Sequence, residues 1–184
     1  NDQKMGLHGS TTAQIFFTEM RVSADRRLGD EGRGFPLALR TLDHGRLGLA
    51  ASSVGAAQRL LEASVEYARS RKQFGKPIAV NQAIQWMIAD AATEIHASRL
   101  MVYDAATRLD GGERITQRAA MTKLFATETL GRVADNAVQI HGGMGYMSEL
   151  WIERAYRDAR IARIYEGTSE IQRSVIAQGL LQDS

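Results

Sequence analysis

The stretch NQAIQWMIADAATEIHASRLMVYDAATRLD, residues 81–110, decides the fold class of this chain. Its apolar residues recur with the period of an α-helix, and most of its charged and polar residues fall outside the face that they share. The pattern therefore predicts one long amphipathic helix. The shared face consists of Ile84, Ile88, Ala91, Ile95, Val102, Ala106 and Leu109.

Two further segments carry the same period, one from Pro36 to about Ser70 and one from about Thr116 to Ile140. The predicted stripes are Leu39, Leu42, Leu49, Val54, Ala57, Leu61 and Val65 in the first segment, and Met121, Leu124, Phe125, Ala137 and Ile140 in the second. Breaks fall at FGKP, DGGE and GGMG. Four or five helices joined by short turns predict a mainly α fold, an antiparallel bundle of the four-helix type.

The N-terminal residues have a different pattern. Between residues 11 and 29 apolar and polar side chains alternate, which predicts a short β segment ahead of the bundle. The glycine cluster GDEGRGFP follows, with Pro36 placed in the first turn of a helix. A single strand cannot form a sheet by itself. We therefore expect residues 1–33 to complete a sheet whose other strands lie elsewhere, and the start at Asn1 fits a fragment or a processed product.

Composition excludes several classes of function. With 184 residues, 44% of them hydrophobic, the chain can bury a substantial core. Its 23 basic and 21 acidic residues interleave, so no basic surface for nucleic acid is indicated. The chain has no cysteine, which excludes disulfides and thiolate chemistry. No apolar run approaches the roughly 18 residues that a membrane span requires.

The sequence gives no metal motif. A di-iron bundle needs Glu-x-x-His on two helices, whereas EIH at residues 94–96 has a different spacing. The four histidines are scattered singly, as expected of surface or structural residues: His8, His44, His96 and His141. The glycines of HGGMG follow a helix and do not match the dinucleotide-binding fingerprint, although they could let backbone approach a ligand.

The stretch RIYEGTSEIQ, residues 163–172, places Glu166 at the joint of two predicted helices. Gly167 breaks the chain there, and Thr168 or Ser169 can cap the helix that follows. A glutamate in such a loop is ordinarily a solvated acid. The motifs elsewhere in the chain decide whether this one is different.

Five separated motifs resemble those of acyl-CoA dehydrogenases, in that family's order and spacing. They are GDEGRGFPLALRTLDHGR (29–46), RKQFGKPIAVNQ (71–82), TKLFATETL (122–130), QIHGGMGYM (139–147) and RDARIARIYEGTSEIQR (157–173). The resemblance implies that residues 1–33 are a remnant of the middle β-domain and that residues 34–184 are the C-terminal helical bundle domain. Short-chain and branched-chain members, such as the isobutyryl-CoA type, look most similar.

The resemblance also implies a chemistry. Glu166 matches the family's base, which removes the α-proton of an acyl-CoA while the β-hydride leaves to flavin. In the isovaleryl type the base lies instead at the position matching Gly45, and glycine cannot act as one. Asp43, Arg46 and Gly167 match positions at the acyl-CoA cavity. For Asp43 and Arg46, a simple ion pair along one helix is the alternative.

FAD is the implied cofactor. Arg71 matches the residue that contacts its diphosphate, and Gln73, Phe74 and Gln82 match contacts from the same side. Gln139, Gly142 and Gly143 match a loop that receives the adenosine portion across a subunit interface, with Arg71 contacting that FAD from a different subunit. Thr168 and Glu170 follow the base, where the N–H groups of a helix start could meet cofactor oxygens.

The resemblance further implies a homodimer or homotetramer and an electron-transfer flavoprotein as electron acceptor. It implies a location in the cytoplasm of a bacterium or in the mitochondrial matrix of a eukaryote. Two alternatives stay open at this point. One is an acyl-CoA oxidase, which passes electrons to oxygen. The other is a catalytically silent helical assembly domain, if these residues alone cannot hold FAD.

Overall fold

Four helices form the bundle of this chain, in a computed structural model that describes residues 2–182, the last of them by its backbone only. They are α1 (Gly34–Ser70), α2 (Gln82–Asp110), α3 (Thr116–His141) and α6 (Ser169–Gln182). The helices α1, α2 and α3 pack against one another, and α6 packs against α3. Short connections join α1 to α2 and α2 to α3, so these consecutive helices run antiparallel. The predicted bundle and the bounds of its long helices are confirmed.

Shorter elements connect the long helices. A two-stranded antiparallel hairpin pairs Lys72 with Pro77 and Gln73 with Lys76, and a 3₁₀ turn then leads into α2. The elements are β1 (Lys72–Gln73), β2 (Lys76–Pro77), the 3₁₀ turn Ile78–Val80, α4 (Gly143–Tyr146), α5 (Trp151–Ala159) and the 3₁₀ turn Arg160–Arg163. The 3₁₀ turn Arg160–Arg163 ends three residues before Glu166. No helix in the described part of the chain is long and apolar enough to cross a membrane.

Small side chains fill much of the contact between α1 and α3. The fully buried residues there include Ala50, Ala57, Ala119 and Ala126, and small residues let two helix backbones approach closely. The predicted stripe on α3 is therefore only partly right. Met121, Leu124 and Phe125 are half-buried and line a groove beside α6, while alanines and threonines occupy the core face. Ala137 and Ile140 are buried as predicted.

The predicted N-terminal β segment does not form a strand. No strand forms between residues 2 and 33, and the only regular element there is the 3₁₀ turn Ala24–Arg26. Ile15, Phe16 and Phe17 are 76%, 81% and 73% exposed. A strand needs a neighbour for its backbone groups, and no described segment supplies one. The only sheet of the described residues is the hairpin between α1 and α2.

The extreme N-terminus is nevertheless attached to the bundle. The amide N–H of Leu7 donates to Asp158 Oδ1 at 2.5 Å, and Arg157 Nη1 donates to the carbonyl oxygen of Met5 at 2.9 Å. The division proposed at residue 34 coincides with the first residue of α1. Residue 1 and residues 183–184, at the outer ends of the two predicted domains, lie outside the described residues.

The close packing of α1 makes a testable prediction at two neighbouring alanines. Ala57 is 0% exposed, whereas Ala56 lies on the exposed face of the same helix. We expect Ala57→Leu to overpack the core and destabilise it by about 1–3 kcal/mol, which lowers the melting temperature by roughly 2–12 °C. Ala56→Leu is the matched control and should be nearly neutral. Equal melting temperatures in thermal unfolding would contradict the packing of α1.

Candidate active site

The turn between the 3₁₀ segment Arg160–Arg163 and α6 has an unusual backbone. Glu166 has a φ of 57° and Gly167 a φ of 91°. Glycine adopts such angles freely, but a glutamate in the left-handed region is strained by roughly 1 kcal/mol or more. Such a conformation persists only where the surrounding structure fixes it. The neighbours of the turn must therefore stabilise it.

Three side chains from three helices bind the two carbonyl groups of this turn. The oxygen of Glu166 accepts from Arg46 Nε at 3.2 Å and from Gln172 Nε2 at 3.0 Å. The oxygen of Gly167 accepts from Lys123 Nζ at 2.9 Å and from Gln172 Nε2 at 3.0 Å. A carbonyl oxygen has two lone pairs. Both acceptors of the turn are therefore saturated by side chains of α1, α3 and α6.

The carboxylate of Glu166 lies against α1 at Gly45. A Cβ atom built on Gly45 would be 2.6 Å from Glu166 Oε2, so only glycine leaves room for the carboxylate in this position. That oxygen is buried, and no hydrogen-bond partner for it exists among the described residues. Burial, together with the charge of Glu166, raises the pKa of the neighbouring Tyr165 hydroxyl. A buried carboxylate oxygen without a partner is free to accept a proton.

Asp43 and Arg46 form a buried ion pair on α1, with Arg46 Nη1 donating to Asp43 Oδ1 at 3.1 Å. Asp43 Oδ2 also accepts a hydrogen bond from Thr116 Oγ1 at 2.6 Å. The alternative interpretation of this pair as an i,i+3 ion pair is therefore confirmed. Arg46 additionally reaches the backbone of Glu166. Contact of either side chain with a substrate stays a prediction.

The start of α6 is fixed by capping. Thr168 Oγ1 accepts from the amide N–H of Ile171 at 3.4 Å, which confirms Thr168 as the capping residue. Ser169 Oγ donates to Glu128 Oε1 at 2.7 Å and ties α6 to α3. Burial would raise the pKa of Glu128, but Ser169 and the nearby Arg163 prevail and lower it. Contact of Thr168 and Glu170 with a cofactor stays a prediction.

A second group of predicted residues surrounds a cavity of about 480 Å³ at the other end of α1. Arg71, Gln73, Gly142 and Gly143 line it, and the Arg71 guanidinium has no ion-pair partner among the described residues. A Cβ atom on Gly142 or Gly143 would meet nothing within 4 Å. A free guanidinium facing open glycine backbone suits a phosphate or diphosphate group.

Arg71 and the glycines of the loop line one cavity of a single chain, because β1 and the start of α4 lie on the same side of the bundle. One subunit can therefore present both to the same ligand. The expectation that they contact one FAD from different subunits stays a prediction. The remaining predicted contacts, Gln82, Gln139 and Phe74, are exposed residues outside the lining of this cavity.

Sequence reasoning missed four residues at these two places. Lys123 and Gln172 are both 0% exposed and hold the turn. Tyr67 and His141 stack at 4.3 Å between ring centroids and line the cavity. His141 Nδ1 lies 2.7 Å from the carbonyl oxygen of Ala137, and burial lowers the pKa of its imidazole. The spacing places Lys123 on the same face of α3 as Ala119 and Thr127, but only the structure shows that this face is buried.

Comparison with known proteins agrees with the geometry. Residues 32–181 match the family described as "Acyl-CoA dehydrogenase, C-terminal domain". The chain is 46% identical to the human mitochondrial short-chain specific acyl-CoA dehydrogenase, over 98% of its own length and 44% of the relative's. It is 48% identical to the caffeyl-CoA reductase-Etf complex subunit CarC of Acetobacterium woodii, over 99% of its own length and 48% of the relative's.

A solved structure gives the same result. The chain superposes on butyryl-CoA dehydrogenase from Megasphaera elsdenii with a TM-score of 0.96 and 44% identity, over 98% of this chain and 47% of that one. The chain thus spans about half the length of the relatives that it matches. Because the family match covers most of the chain, this protein belongs to the acyl-CoA dehydrogenase family and carries its C-terminal domain.

Proposed function

We propose that this chain supplies the base for the flavin-dependent α,β-dehydrogenation of an acyl-CoA thioester to the trans-2-enoyl-CoA. The observation that supports this is the buried, unpartnered Oε2 of Glu166, held above Gly45 by a saturated turn. Oxidation of an acyl thioester requires a base that is fixed at the α-carbon. Glu166 has the chemistry and the rigidity for that role.

The proposed reaction breaks two C–H bonds and forms one C=C bond. Glu166 takes the α-proton, and the hydride leaves the β-carbon with its electron pair. FAD, when bound, supplies the hydride acceptor. The chain's own contribution is to hold the carboxylate still and to keep its oxygen free of competing donors. The backbone of Gly167, next to the base, is proposed to face the thioester, and Asp43 and Arg46 to support that wall of the acyl cavity.

The cavity at Arg71 is proposed to take the diphosphate region of FAD, with Gln73, Gly142 and Gly143 around it and Phe74, Gln82 and Gln139 at its border. Thr168 and Glu170 are proposed to meet FAD at the helix start beside Glu166. The cavity and the turn share no residue. We propose that they serve FAD molecules shared between neighbouring subunits of a homodimer or homotetramer, located in the cytoplasm of a bacterium or the mitochondrial matrix of a eukaryote.

Short or branched acyl-CoA is the proposed substrate class, and an electron-transfer flavoprotein the proposed electron acceptor. The name of the human relative supports the first, and the Etf complex in the name of the Acetobacterium relative supports the second. That same relative is a reductase, which favours a second candidate: reduction of a 2-enoyl-CoA, in which Glu166 returns a proton to the α-carbon. Steady-state rates measured in both directions with a panel of acyl-CoA and enoyl-CoA thioesters would separate the two. An acyl-CoA oxidase would instead turn over with oxygen alone.

The first prediction for this site concerns the base itself. Glu166→Gln keeps the shape of the side chain but cannot accept a proton. In the complete protein that contains this chain, we expect acyl-CoA and FAD still to bind while flavin reduction slows by about 10²- to 10⁴-fold. Anaerobic stopped-flow bleaching of the flavin measures this rate. Reduction at nearly the wild-type rate would make Glu166 an ordinary loop acid.

A second prediction uses the contact between α1 and the carboxylate. Alanine has a higher helix propensity than glycine by about 1 kcal/mol, so Gly45→Ala should not destabilise α1. Its new Cβ would nevertheless displace Glu166 Oε2. We expect a folded protein with slower flavin reduction. Gly48→Ala is the matched control, because a Cβ there meets nothing within 4 Å. Equal reduction rates in the two variants would contradict the position of the carboxylate.

A third prediction concerns the cavity. Arg71→Ala removes the guanidinium proposed for the diphosphate, and loss of a charge-assisted contact should weaken FAD binding by about tenfold or more. Arg69→Ala is the control, since this exposed arginine lies two residues earlier and outside the cavity lining. FAD retention on dilution, followed by flavin fluorescence, measures the difference. The same dissociation constant for both variants would remove Arg71 from the site.

A further inference from the structure

Lys123 is the largest side chain that is fully buried in the described part of this chain. It lies in the middle of α3, with Ala119 and Thr127 one turn away on either side and also fully buried. Lysine is almost never fully buried unless its ammonium group has a partner, because desolvating the charge costs free energy. An apolar residue would fill the same space without that cost. The position therefore calls for an explanation other than packing.

The partner of Lys123 is a backbone oxygen rather than a carboxylate. Its Nζ donates to Gly167 O at 2.9 Å, and no carboxylate of the described residues lies within ion-pair distance of it. Burial lowers the pKa of the ammonium group. The more distant carboxylates of Glu128, Glu166 and Glu170 oppose that effect, and Arg46 reinforces it. The cation is thus directed at the residue that follows Glu166.

We propose that Lys123 is a positioning residue for Glu166: its bond to Gly167 O fixes the left-handed turn that aims the carboxylate at the α-carbon of the substrate. The inference rests on the function proposed above and adds a residue to it. Gln172 donates to both carbonyls of the turn with a single nitrogen. Lys123 therefore supplies the second donor to Gly167 O, as Arg46 does for Glu166 O.

The need for this donor follows from the backbone. At a φ of 57°, Glu166 occupies a conformation that a free loop would leave. Rotation of the turn would swing the carboxylate away from Gly45, and a misplacement of about 1 Å can cost roughly 100-fold in rate. Removing Lys123 frees one lone pair of Gly167 O and leaves that peptide with one restraint instead of two. The side chain of Glu166 then samples positions from which the proton cannot be taken.

The test is a double-mutant cycle in the complete flavin-loaded protein. Lys123→Met keeps the length and packing of the side chain and removes its donor. We expect flavin reduction to slow by about 10- to 100-fold, with little change in KM for the acyl-CoA. Thr127→Val is the matched control in the same buried stretch of α3, because its hydroxyl bonds only within that helix. It should leave the reduction rate unchanged.

The decisive variant combines Lys123→Met with Glu166→Gln. If Lys123 acts through Glu166, the double variant should be no slower than Glu166→Gln alone. Slowing by the same factor in both backgrounds would overturn the proposal, since Lys123 would then act independently of the base. Normal reduction in Lys123→Met would overturn it as well. If Glu166→Gln itself reacted normally, the proposed function would fail rather than the role of Lys123.

A second readout does not depend on flavin. In hydrogen–deuterium exchange, peptides covering residues 163–172 should exchange faster in Lys123→Met than in the wild type or in Thr127→Val. Unchanged protection of this stretch would contradict the proposed restraint. If Lys123→Met does not fold, Lys123→Gln serves in both experiments, because the shorter amide stays polar but cannot span the distance to Gly167 O.

Discussion

The candidate site depends on one constraint, the left-handed backbone of Glu166 at a φ of 57°. The strain of this conformation is modest, but neighbouring groups must stabilise the backbone for the carboxylate to keep its orientation. Four hydrogen bonds to two carbonyl oxygens do so, with donors from Arg46, Lys123 and Gln172. The strained residues and the two carbonyl oxygens that these donors bind belong to the proposed base and to the residue after it, which is where a precise geometry is needed.

The helical bundle supplies these donors because its core is built from small residues. Alanines between α1 and α3 let the two helices approach closely, so that one turn can touch both. Gly45 extends this feature to the site itself, where the missing Cβ makes room for the Glu166 carboxylate. Packing and chemistry are therefore linked: a larger residue on the inner face of α1 would separate the base from its restraints.

Much of this could be predicted from the sequence, and the exceptions have physical reasons. Helical period located the long helices within a residue or two, and motif resemblance singled out Glu166. Lys123 escaped notice because a lysine is ordinarily read as a solvent-facing residue, and its bond to Gly167 joins residues that are far apart in the chain. Alternation between residues 11 and 29 predicted a strand, but a strand forms only with a partner. A local sequence pattern shows neither a hydrogen bond between distant residues nor the presence of a neighbouring strand.

The most direct test of the central claim separates proton removal from hydride transfer. Acetyl-CoA has α-hydrogens but no β-carbon, so it can lose a proton to a base and cannot be dehydrogenated. In D₂O, the complete protein should exchange deuterium into the acetyl group, as followed by NMR, and the Glu166→Gln variant should not. Exchange at the same rate in both proteins would contradict the account, because some other group would then be removing the α-proton.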